Sequence, residues 1–113
     1  MKKHALADFL FETQVLKRMK RTGWQILGEN EESVAEHLYM TTVITFILAS
    51  QMKVDLAKVL PMALFHDTHE SRIGDADKIT LNYITRNIPK ANDVIFSHLS
   101  FGTHVLNLLR EYE

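Results

Sequence analysis

The chain has 113 residues, 46% of them hydrophobic and 24% charged, with 13 Lys+Arg against 14 Asp+Glu and a formal net charge of −1. That length allows one domain with a single core, and the near-neutral balance excludes a global basic field that would recruit nucleic acid. There are no cysteines, which excludes disulfides, thiolate metal sites and a Cys nucleophile and agrees with a reducing, cytoplasmic setting.

Met1, Lys2, Lys3 and His4 lead into an amphipathic stretch and not into the apolar core of a signal peptide. Leu6, Phe9, Leu10, Leu16 and Met19 follow helical spacing, predicting a first helix over about residues 3–20. The basic run Lys17, Arg18, Lys20 and Arg21 suits either the negative end of that helix or contact with a phosphate. Gly23 closes the region, and residues 28–32 read as a polar loop. Ser33 and Glu36 have the spacing of a capping box, so a second helix is expected over about 34–52, with His37 in its first turns. The apolar run from Leu38 to Met52 is broken by Thr41, Thr42, Thr45, Ser50 and Gln51. It is too short and too polar to span a bilayer and is read as a buried helix. No membrane association is expected.

Asp55 is placed to cap a third helix ending near Ser71, with Pro61 removing one backbone bond inside it. Gly74 and Asp75 mark a turn, and a short helical pattern over about 79–87 stops before Pro89. A last helix over about 91–112 carries Val94, Ile95, Leu99, Val105, Leu106 and Leu109 on its apolar side, with Gly102 a weak point. No segment alternates with period two. The fold class is all-α.

The informative stretch is His66, Asp67, Thr68, His69 and Glu70. On an ideal helix Asp67 lies about 100° around from His66, and Glu70 about 40° around, between the two and one turn on. A metal ion held by His66 and Asp67 would therefore have Glu70 beside it, whereas His69, about 60° to the other side, is the poorer candidate. His37 near the start of the preceding helix is the natural third donor. Imidazole nitrogen with carboxylate oxygen suits a divalent ion such as Mn, Fe, Co, Ni or Zn. His98 and His104 have no carboxylate at useful spacing, His4 is read as exposed, and none of the three is given a role.

Four motifs in order complete the pattern: Arg21 to Trp24, Glu32 to His37, His66 to Glu70, and Gly74 with Asp75. Together they resemble the HD-domain phosphohydrolases, most closely the 5'-deoxynucleotidase branch, and the resemblance is best over residues 16–75. It implies an HD-domain helical bundle of about five helices and hydrolysis of deoxyribonucleoside 5'-monophosphates to nucleoside and phosphate. It implies His37, His66 and Asp67 as ligands of a divalent metal (Mn, Co, Fe, Ni, Zn or Mg). Glu70 would orient or deprotonate the attacking water with help from Asp75, Arg21 would contact the substrate phosphate, and Trp24 would pack near the sugar. Trp24 reads equally well as a packing aromatic.

Relatives of this kind take a fourth ligand, an Asp, from a helix further downstream. Asp93, the only Asp after Asp77, comes too early for that role. The expectation is therefore one HD domain over 1–113, incomplete at its C-terminal side, whose uncovered apolar surface favours a homodimer. Two other readings keep the fold: hydrolysis of another phosphoester such as a cyclic nucleotide, and a non-catalytic HD module that binds without turnover.

Overall fold

A computed structural model describes residues 3–21, 32–76 and 79–112. In chain order the helices are α1 (Lys3–Val15), α2 (Val34–Ser50), α3 (Leu56–Phe65), the single turn α4 (Glu70–Ile73), α5 (Ile88–Phe96) and α6 (Gly102–Tyr112), with a 3-10 turn at Thr80–Asn82. The described residues form no sheet, only one isolated antiparallel bridge between Lys20 and Ser33. The all-α expectation holds, with five helices of nine residues or more.

The first helix stops at Val15, earlier than expected. The amides of Leu16, Lys17 and Arg18 donate three residues back, to Thr13, Gln14 and Val15, which tightens the chain out of α-helical winding. What competes for residues 16–21 is the start of α2. The Val34 amide donates to the Met19 carbonyl at 2.7 Å and the Ala35 amide to the Leu16 carbonyl at 3.1 Å. The Glu36 amide donates to Ser33 Oγ at 3.1 Å, and the Ser33 amide donates to Glu36 Oε1 at 3.0 Å, completing the capping box. The orphan donors of the α2 N-terminus are thus satisfied by the preceding segment and by the cap. Leu16, Val34 and Leu38 bury a small apolar cluster beneath this junction.

The main core lies elsewhere, where Phe9 of α1 meets Ile95, Phe96, Leu99, Val105, Leu106 and Leu109. Phe9 stands 5.6 Å from Phe96 and 5.8 Å from Phe101 in tilted or edge-on pairs, the geometry aromatic quadrupoles prefer. Helix α3 packs between α2 and α6, and α5 packs on α6.

Four further expectations are corrected. The helix begun at Asp55, whose side chain accepts from the Ala57 amide at 3.0 Å, ends at Phe65, and residues 66–69 wind as tight turns before α4. Residues 79–87 form only the 3-10 turn, because Thr80, Asn82, Thr85 and Asn87 are poor helix formers that favour turns and caps. Pro89 does not stop a helix but sits in the first turn of α5, where its missing amide costs nothing. The last helix is two, split at 97–101. At Gly102 the α6 backbone comes so close to α5 that an added Cβ would lie 1.8 Å from the Phe96 carbonyl oxygen. On α5 the buried face is Ala91, Asn92, Ile95 and Phe96, and Val94 stands exposed.

Of the run from Leu38 to Met52, Leu38 and Ala49 are buried but most of the rest is not. Tyr39, Met40, Ile44, Ile47, Leu48 and Met52 are all exposed among the described residues, since the helix is apolar around much of its circumference while α3 packs along one side only. No described helix is long and apolar enough to cross a membrane.

Candidate metal centre

His37 sits in the first turns of α2, fixed by the Ser33 cap, and its amide donates to the Ser33 carbonyl at 3.1 Å. His66 is the C-cap of α3, and Asp67 follows it in the turn. Packing of α2 on α3 brings the three together. Nε2 of His37 and Nε2 of His66 each lie 3.2 Å from the same oxygen, Asp67 Oδ2, and the rings are 5.7 Å apart and nearly edge-on.

The tautomer of His66 decides what this cluster wants. Its Nδ1 lies 2.7 Å from the Ala63 carbonyl, which can only accept, so Nδ1 carries a hydrogen and donates. In the neutral ring, Nε2 therefore points a lone pair at a carboxylate oxygen. That contact is repulsive unless a cation lies between them. A proton serves in the metal-free protein: burial works against the charged ring, but the Asp67 carboxylate and the Ala63 carbonyl outweigh it and hold the His66 pKa above its usual value. Burial likewise opposes the charge on Asp67, yet the hydrogen bond and charge of His66 keep its carboxyl below the usual range. A backbone carbonyl behind a ligating imidazole is a common orienting partner in metal sites. The donor atoms of His37, His66 and Asp67 all fall within 4.8 Å of one another, a spacing that ligands about 2.0–2.2 Å from a common ion can have. The residues present fit a divalent metal.

Winding in the 66–70 turn differs from the ideal helix in a way that matters. The Thr68 amide donates to Phe65 and the Glu70 amide to Asp67, each three residues back. At about three residues per turn, positions i and i+3 eclipse, so Glu70 stacks on Asp67 and His69 on His66. Glu70 is buried, and its carboxyl is hydrogen-bonded to those of both Asp67 and Asp75. Burial, then the Asp67 charge, then Asp75 push its pKa up to about 9. Asp75 follows Gly74, whose φ of 78° turns the chain back toward Glu70. His69, given the weaker place by ideal geometry, is buried and forms a second group with Asp67 and Glu70 whose donor atoms lie within 4.8 Å.

Arg21 adjoins the cluster. Its Nη1 donates to Glu32 Oε1 at 3.1 Å, its amide donates to the Glu32 carbonyl at 2.9 Å, and after burial its charge is the next influence lowering the His37 pKa. Lys17 and Arg18 lie exposed in the turn after α1. Trp24 lies outside the described residues. Asp93 is exposed on α5 and joins neither metal-capable group.

The HD domain sequence pattern matches residues 13–113. The chain belongs to the HD-domain family. Among curated HD-domain relatives it is 35% identical to the 5'-deoxynucleotidase HDDC2 of Dictyostelium discoideum, over 87% of this chain and 58% of that protein. It is 32% identical to the protein of the same name in Xenopus laevis, over 96% of this chain and 57% of that one. The chain thus spans somewhat over half the length of these relatives. Among solved structures, a conserved hypothetical protein of Pyrococcus furiosus matches with a TM-score of 0.82 at 32% identity, covering 94% of this chain and 65% of that one. HD domains are metal-dependent, and here the His37, His66 and Asp67 cluster could hold the ion.

Proposed function

We propose that this HD domain is a metal-dependent phosphohydrolase that converts deoxyribonucleoside 5'-monophosphates to nucleoside and phosphate. The observation that carries the reading is the convergence of His37 Nε2 and His66 Nε2 on Asp67 Oδ2, with the Glu70 carboxyl buried beside them. The substrate class is supported by relatives named 5'-deoxynucleotidases.

His37, His66 and Asp67 would hold the ion, which the mixed nitrogen and oxygen donor set suits to Mn, Co, Fe, Ni or Zn, with Mg a weaker match. When bound, it supplies positive charge for the phosphoryl oxygens and lowers the pKa of water at the site. Glu70, whose pKa burial and the Asp67 charge push up to about 9, would give its proton to solvent where a bound ion offsets the Asp67 charge, and would then accept one from the attacking water. Asp75 holds the Glu70 carboxyl in place. Arg21 offers a planar fork to the phosphate from the His37 side, and the sugar contact is assigned to Trp24 on the family resemblance alone.

The same reading takes residues 1–113 as part of one HD domain working in the cytoplasm as a homodimer. The exposed apolar face of α2, with Tyr39, Ile44, Ile47 and Leu48, is the surface a second copy would cover. The experiment that tests the activity is phosphate release from a panel of deoxy- and ribonucleoside 5'-monophosphates with Mn, Co, Mg or Zn, beside a His66→Ala control. Deoxynucleotide-selective release lost in the control supports it; release from a cyclic nucleotide instead moves the substrate; silence with intact metal binding rejects it.

A further inference from the structure

Next to the metal-capable cluster lies a cavity of about 160 Å³, lined by His66, Asp67, His69, Arg86, Asn92 and Tyr112 among others. Three side-chain atoms at this cavity, His69 Nδ1, Arg86 Nε and Asn92 Oδ1, are buried without a hydrogen-bond partner. His69 is 4% and Asn92 5% exposed. Buried polar atoms are costly unless something pairs with them. Three around one cavity mark a place built for a polar occupant.

Asn92 makes the point from the sequence side. It lies on the buried face of α5 with Ala91, Ile95 and Phe96, where an apolar residue would pack at no polar cost. Arg86 comes from the irregular segment between the 3-10 turn and α5. Its Nη1 reaches the Gly74 carbonyl at a long 3.4 Å, which leaves the Nε edge of the guanidinium for another partner. That edge is the fork that matches two oxygens of a tetrahedral anion. A fixed positive charge makes a second cation a poor occupant. The volume is far below the roughly 300–1,000 Å³ of pockets that enclose a drug-sized molecule, so a single small group fits and a whole nucleotide does not.

We propose that this cavity is a second phosphate subsite, distinct from Arg21, in which Arg86, His69 and Asn92 bind phosphoryl oxygens. Arg86 donates from Nε, His69 from Nδ1, and Asn92 from its amide once turned, or accepts from a protonated phosphate oxygen. The charge of Arg21 acts on His37 and that of Arg86 on His69, so each guanidinium lies near a different histidine of the site. The inference rests on the phosphohydrolase reading for the identity of the anion.

The test is calorimetric titration of inorganic phosphate into the manganese-loaded chain at constant ionic strength, with chloride as control, for wild type, Arg86→Gln and Asn92→Leu. Manganese affinity and nucleotide hydrolysis are measured in parallel. Each variant is expected to bind phosphate about tenfold more weakly or worse, the loss of one charge-assisted or buried hydrogen bond, with manganese affinity kept. Should Arg86→Gln fail to take up manganese, Asn92→Leu, similar in volume and remote from Gly74 in sequence, decides. Phosphate affinity unchanged in the variants, or no binding to wild type above the chloride control, overturns the subsite. Phosphate binding lost in the variants while no nucleotide is hydrolysed by any form keeps the subsite and rejects the nucleotidase reading. Hydrolysis with phosphate affinity indifferent to both variants does the reverse.

Discussion

Glu70 and Asp67 stand one tight turn apart with their carboxyl groups hydrogen-bonded to each other. Two carboxylates cannot share a hydrogen bond without a proton; burial opposes the charge on both, but His66 and His37 hold the pKa of Asp67 down, so the proton falls to Glu70, whose pKa is pushed up to about 9. The site is thus made at the expense of stability, as functional carboxyl pairs commonly are.

A pH signature follows. The folded pKa of Glu70 is raised above its ordinary value of 4.5, so its contribution to stability is fully present below about pH 4.5 and is lost as pH rises toward 9. Glu70→Gln mimics the protonated form at every pH. In chelator, the variant is expected to melt above wild type at pH 8, with the gap closing as pH falls to 5, and to release no phosphate. Melting curves that stay parallel across pH would sink the shared-proton account.

Metal uptake has a thermal readout. A ligand that binds only the folded state at about a hundred times its Kd adds roughly 2.7 kcal/mol, which for a chain this size raises Tm by roughly 10 °C. Manganese should give a rise of that order at pH 7.5, reversed by chelator and absent in His66→Ala. The gain should shrink with falling pH, because protons compete for the imidazoles. A full rise in His66→Ala would remove that residue from the ligand set.

Gly102 is expected to admit no side chain. A Cβ there meets the Phe96 carbonyl oxygen at 1.8 Å, and backbone cannot step aside as a flexible side chain would. Gly102→Ala should cost about 3 kcal/mol, read as a lower urea midpoint. Wild-type stability in this variant would mean that α5 and α6 do not approach as described.

Ser33→Ala tests the junction that places His37. Loss of the cap should cost about 1 kcal/mol and weaken manganese binding several-fold, since His37 lies in the turn the cap secures. Lower stability with unchanged metal affinity would separate the cap from the site.

The residues that form the metal cluster were legible because their chemistry is local: the His66 and Asp67 pair, the capping box that starts α2, and the Asp55 cap of α3. The break after Phe65 was not, since tight winding and ideal helix share the same residue types and differ only in which carbonyl each amide chooses. That choice moved His69 from the margin into the buried site. Arg86 and Asn92 carried no signal at all, because only the packing of α5 and its leading segment against the 66–70 turn gives them a neighbour. Exposure of α2 was hidden for the opposite reason, as a run apolar on most sides does not say which side is covered.

The bridge between Lys20 and Ser33 ties the segment that carries Arg21 to the start of the helix that carries His37. The Val34 amide donates to the Met19 carbonyl and the Arg21 amide to the Glu32 carbonyl across the same junction. A substitution that shifts it moves the arginine and the histidine together, so the two positions are inherited as one mechanical unit.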